Sequence, residues 1–150
     1  MPGLDARVET RKARLADAAA IAELSGQLGY PATVADMQER LISLLYRPRY
    51  SAVFVAELAP NKVIGWLHVS VTPLLEVPLR AEVNGLVVKE GQRSAGAGAK
   101  LLQAAERWAK GKACRSMSVR SNVIRDRAHA FYLRNGYEHY KTQQAFRKTL

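Results

Sequence analysis

The stretch Arg93-Ser94-Ala95-Gly96-Ala97-Gly98 is small at every position after the arginine and follows a β-rich run that ends at Val88. Beyond it, Leu101, Leu102, Ala105, Trp108 and Ala109 recur at the spacing of one helical face. A strand, a loop of small residues and an amphipathic helix, in that order, restrict the chain to folds in which a helix N-terminus opens beside a strand end. Backbone can approach a ligand closely there. The first N–H groups of the helix lack intrahelical partners and its dipole favours an anion, so a pyrophosphate fits the geometry. A glycine-tolerant turn into a helix is the plainer alternative. Neither common glycine motif matches. A nucleotide P-loop needs Gly-Lys-Ser/Thr where this chain has Gly98-Ala99-Lys100, and a dinucleotide fingerprint should open a βαβ unit with an acidic residue about 20 positions later.

The remaining elements arrange themselves around that unit. Val8 to Arg14 reads as a strand, and Asp17 can cap a helix carrying Ile21, Leu24 and Leu28 that Gly29-Tyr30-Pro31 ends. Thr33 caps a second helix, with Val34, Met37, Leu41, Leu44 and Leu45 on one face, running to about Tyr46. Ser51 to Glu57 and Val63 to Val71 flank the turn composition Ala59-Pro60-Asn61-Lys62 and predict an antiparallel hairpin. Thr72 to Pro78 connects to a strand over Ala81 to Val88. Ser116 to Ser121 is a short strand, Asp126 starts a helix with Ala128, Phe131 and Tyr132, and Asn135-Gly136 stops it. Tyr137 to Lys148 supplies one or two final strands. The order β-α-α-β-β-β-α-β-α-β describes an α/β fold, a mixed sheet with helices on its faces, and 150 residues suit a single domain.

Composition narrows the function classes. A chain 48% hydrophobic and 24% charged is globular rather than disordered or fibrous. No apolar run approaches the roughly 20 residues needed to cross a bilayer, so a cytoplasmic protein is expected. The single cysteine, Cys114, reads as a small half-buried thiol, and no Cys/His cluster has zinc-ligand spacing; no metal is expected. His68, His129 and His139 fall in no triad or metal motif and read as structural or exposed. The net charge of +10 attracts anions, yet no docking motif or aromatic-basic platform supports nucleic acid as a partner.

Several motifs in order resemble the Gcn5-related N-acetyltransferase superfamily. They are Leu86-Val87-Val88, then Arg93-x-x-Gly96-x-Gly98, a helix with Leu101-Leu102, Asn122, and Ala130-Phe131-Tyr132-Leu133-Arg134-Asn135-Gly136-Tyr137. The resemblance is strong from Val83 to Tyr137 and weaker over the rest. Leu28-Gly29-Tyr30-Pro31 looks like members acting on small molecules. It implies the corresponding acyltransferase fold and acetyl-CoA as donor. The pyrophosphate would sit on Arg93, Ser94, Ala95, Gly96, Gly98 and Ala99, and the pantetheine against Leu86, Val87, Val88 and Asn122. Many members carry Arg-Gly where this chain has Ser94-Ala95, so one side-chain phosphate contact is missing, with Lys100 or the arginines near Arg125 as replacements. A β-bulge near Gly85 would free backbone groups for the donor, one N–H polarising the thioester carbonyl.

Acetyl transfer needs a neutral amine and a proton for the departing thiolate. The resemblance implies that Tyr132 is the general acid; packing beside Phe131 is the alternative, with Phe131 the better core residue. Glu82 lies 11 residues before Arg93, the offset of the basic glutamate in histone-acetylating relatives, and is the candidate base; Glu76 or ordered water would serve instead. The acceptor pocket is expected around Tyr30, Asp36, Glu39, Tyr46 and Glu76, an acidic lining suited to an aminoglycoside or polyamine. The expected function is acetylation of such a primary amine. Alternatives are acetylation of protein lysines or N-termini and a non-catalytic acyl-CoA-binding domain. Acetyl-CoA and the amine are the partners, with no membrane, and a homodimer stays open.

Overall fold

Strands β2 (Ser51–Ala59) and β3 (Lys62–Val71) form the expected hairpin, turned at Pro60-Asn61, where Asn61 takes φ 63° and its N–H donates to Glu57 Oε2 at 2.9 Å. The computed structural model describes residues 7–121 and 123–150, which divide into two compact units, one ending at Val119 and the other Arg120–Leu150. In the first unit β1 (Glu9–Lys12), β2, β3, β4 (Arg80–Val88) and β5 (Ser116–Val119) make a sheet in chain order. Every neighbouring pair is antiparallel except β4 with β5.

Helices α1 (Ala18–Leu28) and α2 (Val34–Leu45) cover one face, where Ile21, Leu41, Val53 and Val55 form a buried cluster with Trp66 against it. Helix α3 (Ala97–Gly111) covers the other. Alternate residues of a strand face opposite sides. Accordingly Gly65, next to Trp66, lies under α3, and a Cβ there would stand 3.3 Å from Leu101. Thr33 caps α2 as the sequence predicts, its Oγ1 accepting from Asp36 N–H at 3.0 Å. Gly29 ends α1 in the left-handed region at φ 97°.

Asp17 departs from expectation. Its carboxylate does not cap α1. Arg11 donates to both of its oxygens at 2.8 Å, Arg14 N–H donates to it at 2.7 Å, and Arg11 Nε also donates to Glu57 Oε1 at 2.9 Å. A bidentate guanidinium outcompetes a helix N–H for a carboxylate. The cluster ties β1 and β2 to the 3-10 turn Leu15–Asp17 that leads into α1. Burial alone would push the Asp17 carboxyl up, but Arg11 and the Arg14 N–H hold it below the usual carboxylate range.

The second unit holds α4 (Asp126–Arg134), closed by Asn135 as predicted, with Asn135 Nδ2 donating to Phe131 O at 2.8 Å. The order thus matches expectation through α4, but among the described residues no strand forms from Tyr137 to Leu150. Its β-forming composition finds no ladder partner, and a strand exists only when paired.

Asp17→Asn is expected to cost about 2 kcal/mol at pH 7, because it leaves the Arg11 guanidinium half-satisfied. A depressed carboxyl pKa stabilises above its unfolded value and loses that effect as pH falls through its folded value. The deficit measured by urea unfolding should therefore narrow below about pH 4.

Candidate active site

Strand β4 changes character halfway along. Its register with β3 runs Glu82 opposite Ser70, Val83 opposite Val69, then Gly85 opposite His68, so Asn84 is an extra residue in a β-bulge one position from Gly85. Pairing with β5 covers only Arg80 to Val83, against Ser116 to Val119. From Asn84 to Val88 the edge of β4 toward β5 has no ladder partner among the described residues. Lys89 N–H donates back to Ile64 O of β3 at 2.6 Å. Backbone polar groups alternate in direction along a strand, so Leu86 and Val88 turn theirs toward the open edge while Val87 spends its own on β3. Of the three residues predicted to meet a donor, two present free backbone there.

The small-residue loop sits where the sequence places it. Arg93–Ala95 is a 3-10 turn, and Gly96 at φ 79° is the N-cap of α3 with no side-chain cap. Lys100 N–H makes the first intrahelical bond, to Gly96 O at 3.1 Å, leaving the N–H groups of Ala97, Gly98 and Ala99 outside the helical ladder. Arg93 is exposed, and Ala97 and Gly98 are buried. Lys100, a candidate for the missing phosphate contact, instead donates to Val8 O at 2.7 Å, which turns its ammonium toward the chain beside β1. Asn122 lies outside the described residues.

Directly opposite residues in a sheet share a face. The registers Ser51–Ser70, Ser70–Glu82 and Glu82–Ser118 therefore place four polar side chains in one row across β2, β3, β4 and β5. Glu82 lies in this row, half-buried, on the face that carries α1 and α2. Asn84 Nδ2 donates to Ser70 Oγ at 2.8 Å, and Ser51 Oγ lies 3.1 Å from His68 Nε2. Sequence reading missed this row because no residue's opposite number is visible before the register is known. Its signal was the alternation Trp66, His68, Ser70 within an apolar strand.

Beside the row lies a groove of about 660 Å³ lined by Asp36, Glu39, Arg40, Ser43 and Leu44 of α2 and by His68. Asp36 and Glu39 were expected there. Tyr30, Tyr46 and Glu76 are exposed and do not line it. His68, read from sequence as structural or exposed, is half-buried in the wall, and burial pushes its pKa below the usual histidine value. Burial raises the Cys114 thiol, which keeps it protonated and a poor nucleophile. Among the described residues no group of His, Cys, Asp or Glu is placed to hold a metal ion, and no helix is long and apolar enough to cross a membrane.

In the second unit Phe131 and Tyr132 are both half-buried and pack edge to face, ring centroids 5.2 Å apart, so Phe131 does not take the core alone. Tyr137 also packs edge to face with the Tyr132 ring, centroids 5.9 Å apart. Burial pushes the Tyr132 phenol above its ordinary value, with Arg125 opposing, so it remains a proton donor at neutral pH.

A strand splayed from its neighbour beyond a bulge, and opening onto the bare N-terminus of a helix, suits a long thin ligand with an anionic middle. The model of the acetyltransferase (GNAT) family matches residues 18–137. The chain belongs to that family. It is an N-acetyltransferase with acetyl-CoA as donor. It is similar to the aminoglycoside N(6')-acetyltransferase type 1 of Klebsiella aerogenes, 26% identical over 118 residues, 77% of this chain and 76% of that protein. Two of the solved structures that share the fold are aminoglycoside acetyltransferases. Aminoglycoside 6'-N-acetyltransferase AAC(6')-Ih from Acinetobacter baumannii has a TM-score of 0.83 at 18% identity, over 95% of this chain and 99% of the other. AAC(6')-Iy, in complex with a bisubstrate analog, CoA-S-monomethyl-acetylneamine, has a TM-score of 0.84 at 19% identity, over 96% and 99%.

Gly85 is required where the strand opens, since a Cβ there would stand 2.8 Å from two carbons of the Trp66 ring. Gly85→Ala in the acetyltransferase should displace that indole and lower stability by about 1–3 kcal/mol in urea unfolding. An unchanged midpoint would show that Trp66 has room to move.

Proposed function

We propose that this acetyltransferase acetylates a primary amine of a small polycationic acceptor, of aminoglycoside or polyamine type, by direct attack on the thioester. The observation that carries the reading is the coincidence of two features on the first unit. The open edge of β4 suits the donor, and beside it Glu82 faces the same side as a groove bearing Asp36 and Glu39. The similarity to an aminoglycoside acetyltransferase supports the acceptor class. The family match spans parts of both units, which supports one acetyltransferase domain, and a freely diffusing donor and acceptor suit the cytoplasm.

The residues divide the work by their chemistry. N–H groups of Ala97, Gly98 and Ala99, with the loop from Arg93 to Gly96, hold the pyrophosphate at the positive end of α3. Leu86 and Val88 pair with the pantetheine, and an N–H of this edge donates to the thioester oxygen as it gains negative charge. Glu82, directly or through water, accepts the proton that an acceptor ammonium must lose before its nitrogen can attack. The C–N bond forms as the C–S bond breaks, Tyr132 gives its proton to the departing thiolate, and the extra proton on the new amide nitrogen leaves to restore the phenol.

Thiol release from acetyl-CoA over a panel of amines tests the function, with activity expected on polycationic small molecules. No release with any amine would overturn it. Tyr132→Phe should lower kcat by about 100-fold while leaving acetyl-CoA affinity within a factor of about two. Unchanged turnover would remove Tyr132 from the chemistry. Glu82→Gln should move the rising limb of the rate to higher pH, and an unshifted profile would point to water or another group.

A further inference from the structure

The polar row explains Glu82 but leaves His68 unused. This histidine is the one sheet residue among those lining the α2 groove, and it stands one register position from Glu82's row on the same face. Its Nε2 meets the buried Ser51 hydroxyl at 3.1 Å, which fixes the ring and leaves Nδ1 as the second hydrogen-bonding atom. Across the groove stand Asp36, Glu39 and Arg40 of α2, while Gly85 of β4 and Val53 of β2 flank His68 in the sheet and bring no charge. Glu82 is the carboxylate in the neighbouring row of its own face.

Two carboxylates and one guanidinium give the lining an excess negative charge, which draws an ammonium but cannot orient a polyhydroxylated or polyamino skeleton. A neutral imidazole can. It offers one donor and one acceptor, whereas an imidazolium would repel the cation that the carboxylates attract. We propose that His68, held by Ser51, is a specificity-determining residue that hydrogen-bonds a neutral polar group of the acceptor, such as a hydroxyl, while Asp36 and Glu39 take its ammonium groups. The inference rests on the amine-acetylating reading above. Burial favours the neutral ring at pH 7.

The test is steady-state kinetics with the amine that gives the fastest thiol release, from pH 5 to 8, on the unaltered protein, His68→Ala and His68→Gln. His68→Ala should raise acceptor KM about tenfold at pH 7.5 with acetyl-CoA KM unchanged. In the unaltered protein acceptor KM should climb as pH falls below the usual histidine range, where the imidazole gains a proton. His68→Gln stays neutral and can still meet Ser51, so it should hold KM within about threefold and lose that pH dependence. An acceptor KM unaltered in His68→Ala overturns the proposal while leaving acetyl transfer intact. An equal rise in both substrates' KM in both variants marks a merely structural residue and also overturns it. Absence of thiol release from the unaltered protein with every amine overturns acetyl transfer itself, and His68's role with it.

Discussion

The rest of the structure depends on a loss of pairing. Strand β4 keeps its partner β5 only as far as Val83, and one extra residue, Asn84, re-phases the strand against β3 immediately afterwards. Unpaired backbone polar groups inside a protein are costly, so a strand that gives up half of its outer ladder must expose that edge to something able to replace the hydrogen bonds. A pantetheine arm, with its two amides, is chemically close to a strand. In the proposed function the bulge makes this edge available to the donor, and Gly85 lets the Trp66 indole lie against the point of opening.

The helix proposed to receive the other end of the donor follows the same strand. Gly96 reverses the chain through a left-handed conformation, and α3 begins with Ala97 and Gly98 buried and no capping side chain in the way. A serine or aspartate cap would stabilise an isolated helix by about 1 kcal/mol, yet it would occupy the N–H groups that an anion needs. On the opposite face, Arg11 fastens β1 and β2 to the turn before α1 through Asp17 and Glu57. The groove lined by α2 and His68 is therefore built on a braced layer.

Local features were legible in the sequence. The cap at Thr33, the glycine ending α1, the hairpin turn, the loop before α3 and the stop at Asn135 all rest on residues within a few positions of one another. Long-range features were not. Asp17 looks like a helix cap until Arg11, six residues earlier, claims both its oxygens. Tyr137, Tyr140, Thr142 and Phe146 suggest a strand, but pairing needs a partner that composition cannot name. The row Ser51, Ser70, Glu82 and Ser118 assembles from four strands, and His68 gains its place in the groove only through the register of β3 and the packing of α2. Resemblance to a family supplied the proposed donor site because its residues are nearly contiguous in sequence. The acceptor side is scattered along the chain.

The central claim is that the open edge of β4 and the first turn of α3 together hold acetyl-CoA. Backbone amide shifts during titration with the unreactive product CoA test it most directly. The account predicts that the largest changes fall on Leu86, Val88, Gly98 and Ala99, with Asp36 and Glu39 of α2 unmoved. Changes centred on α2, or saturable binding that leaves those four amides in place, would contradict it.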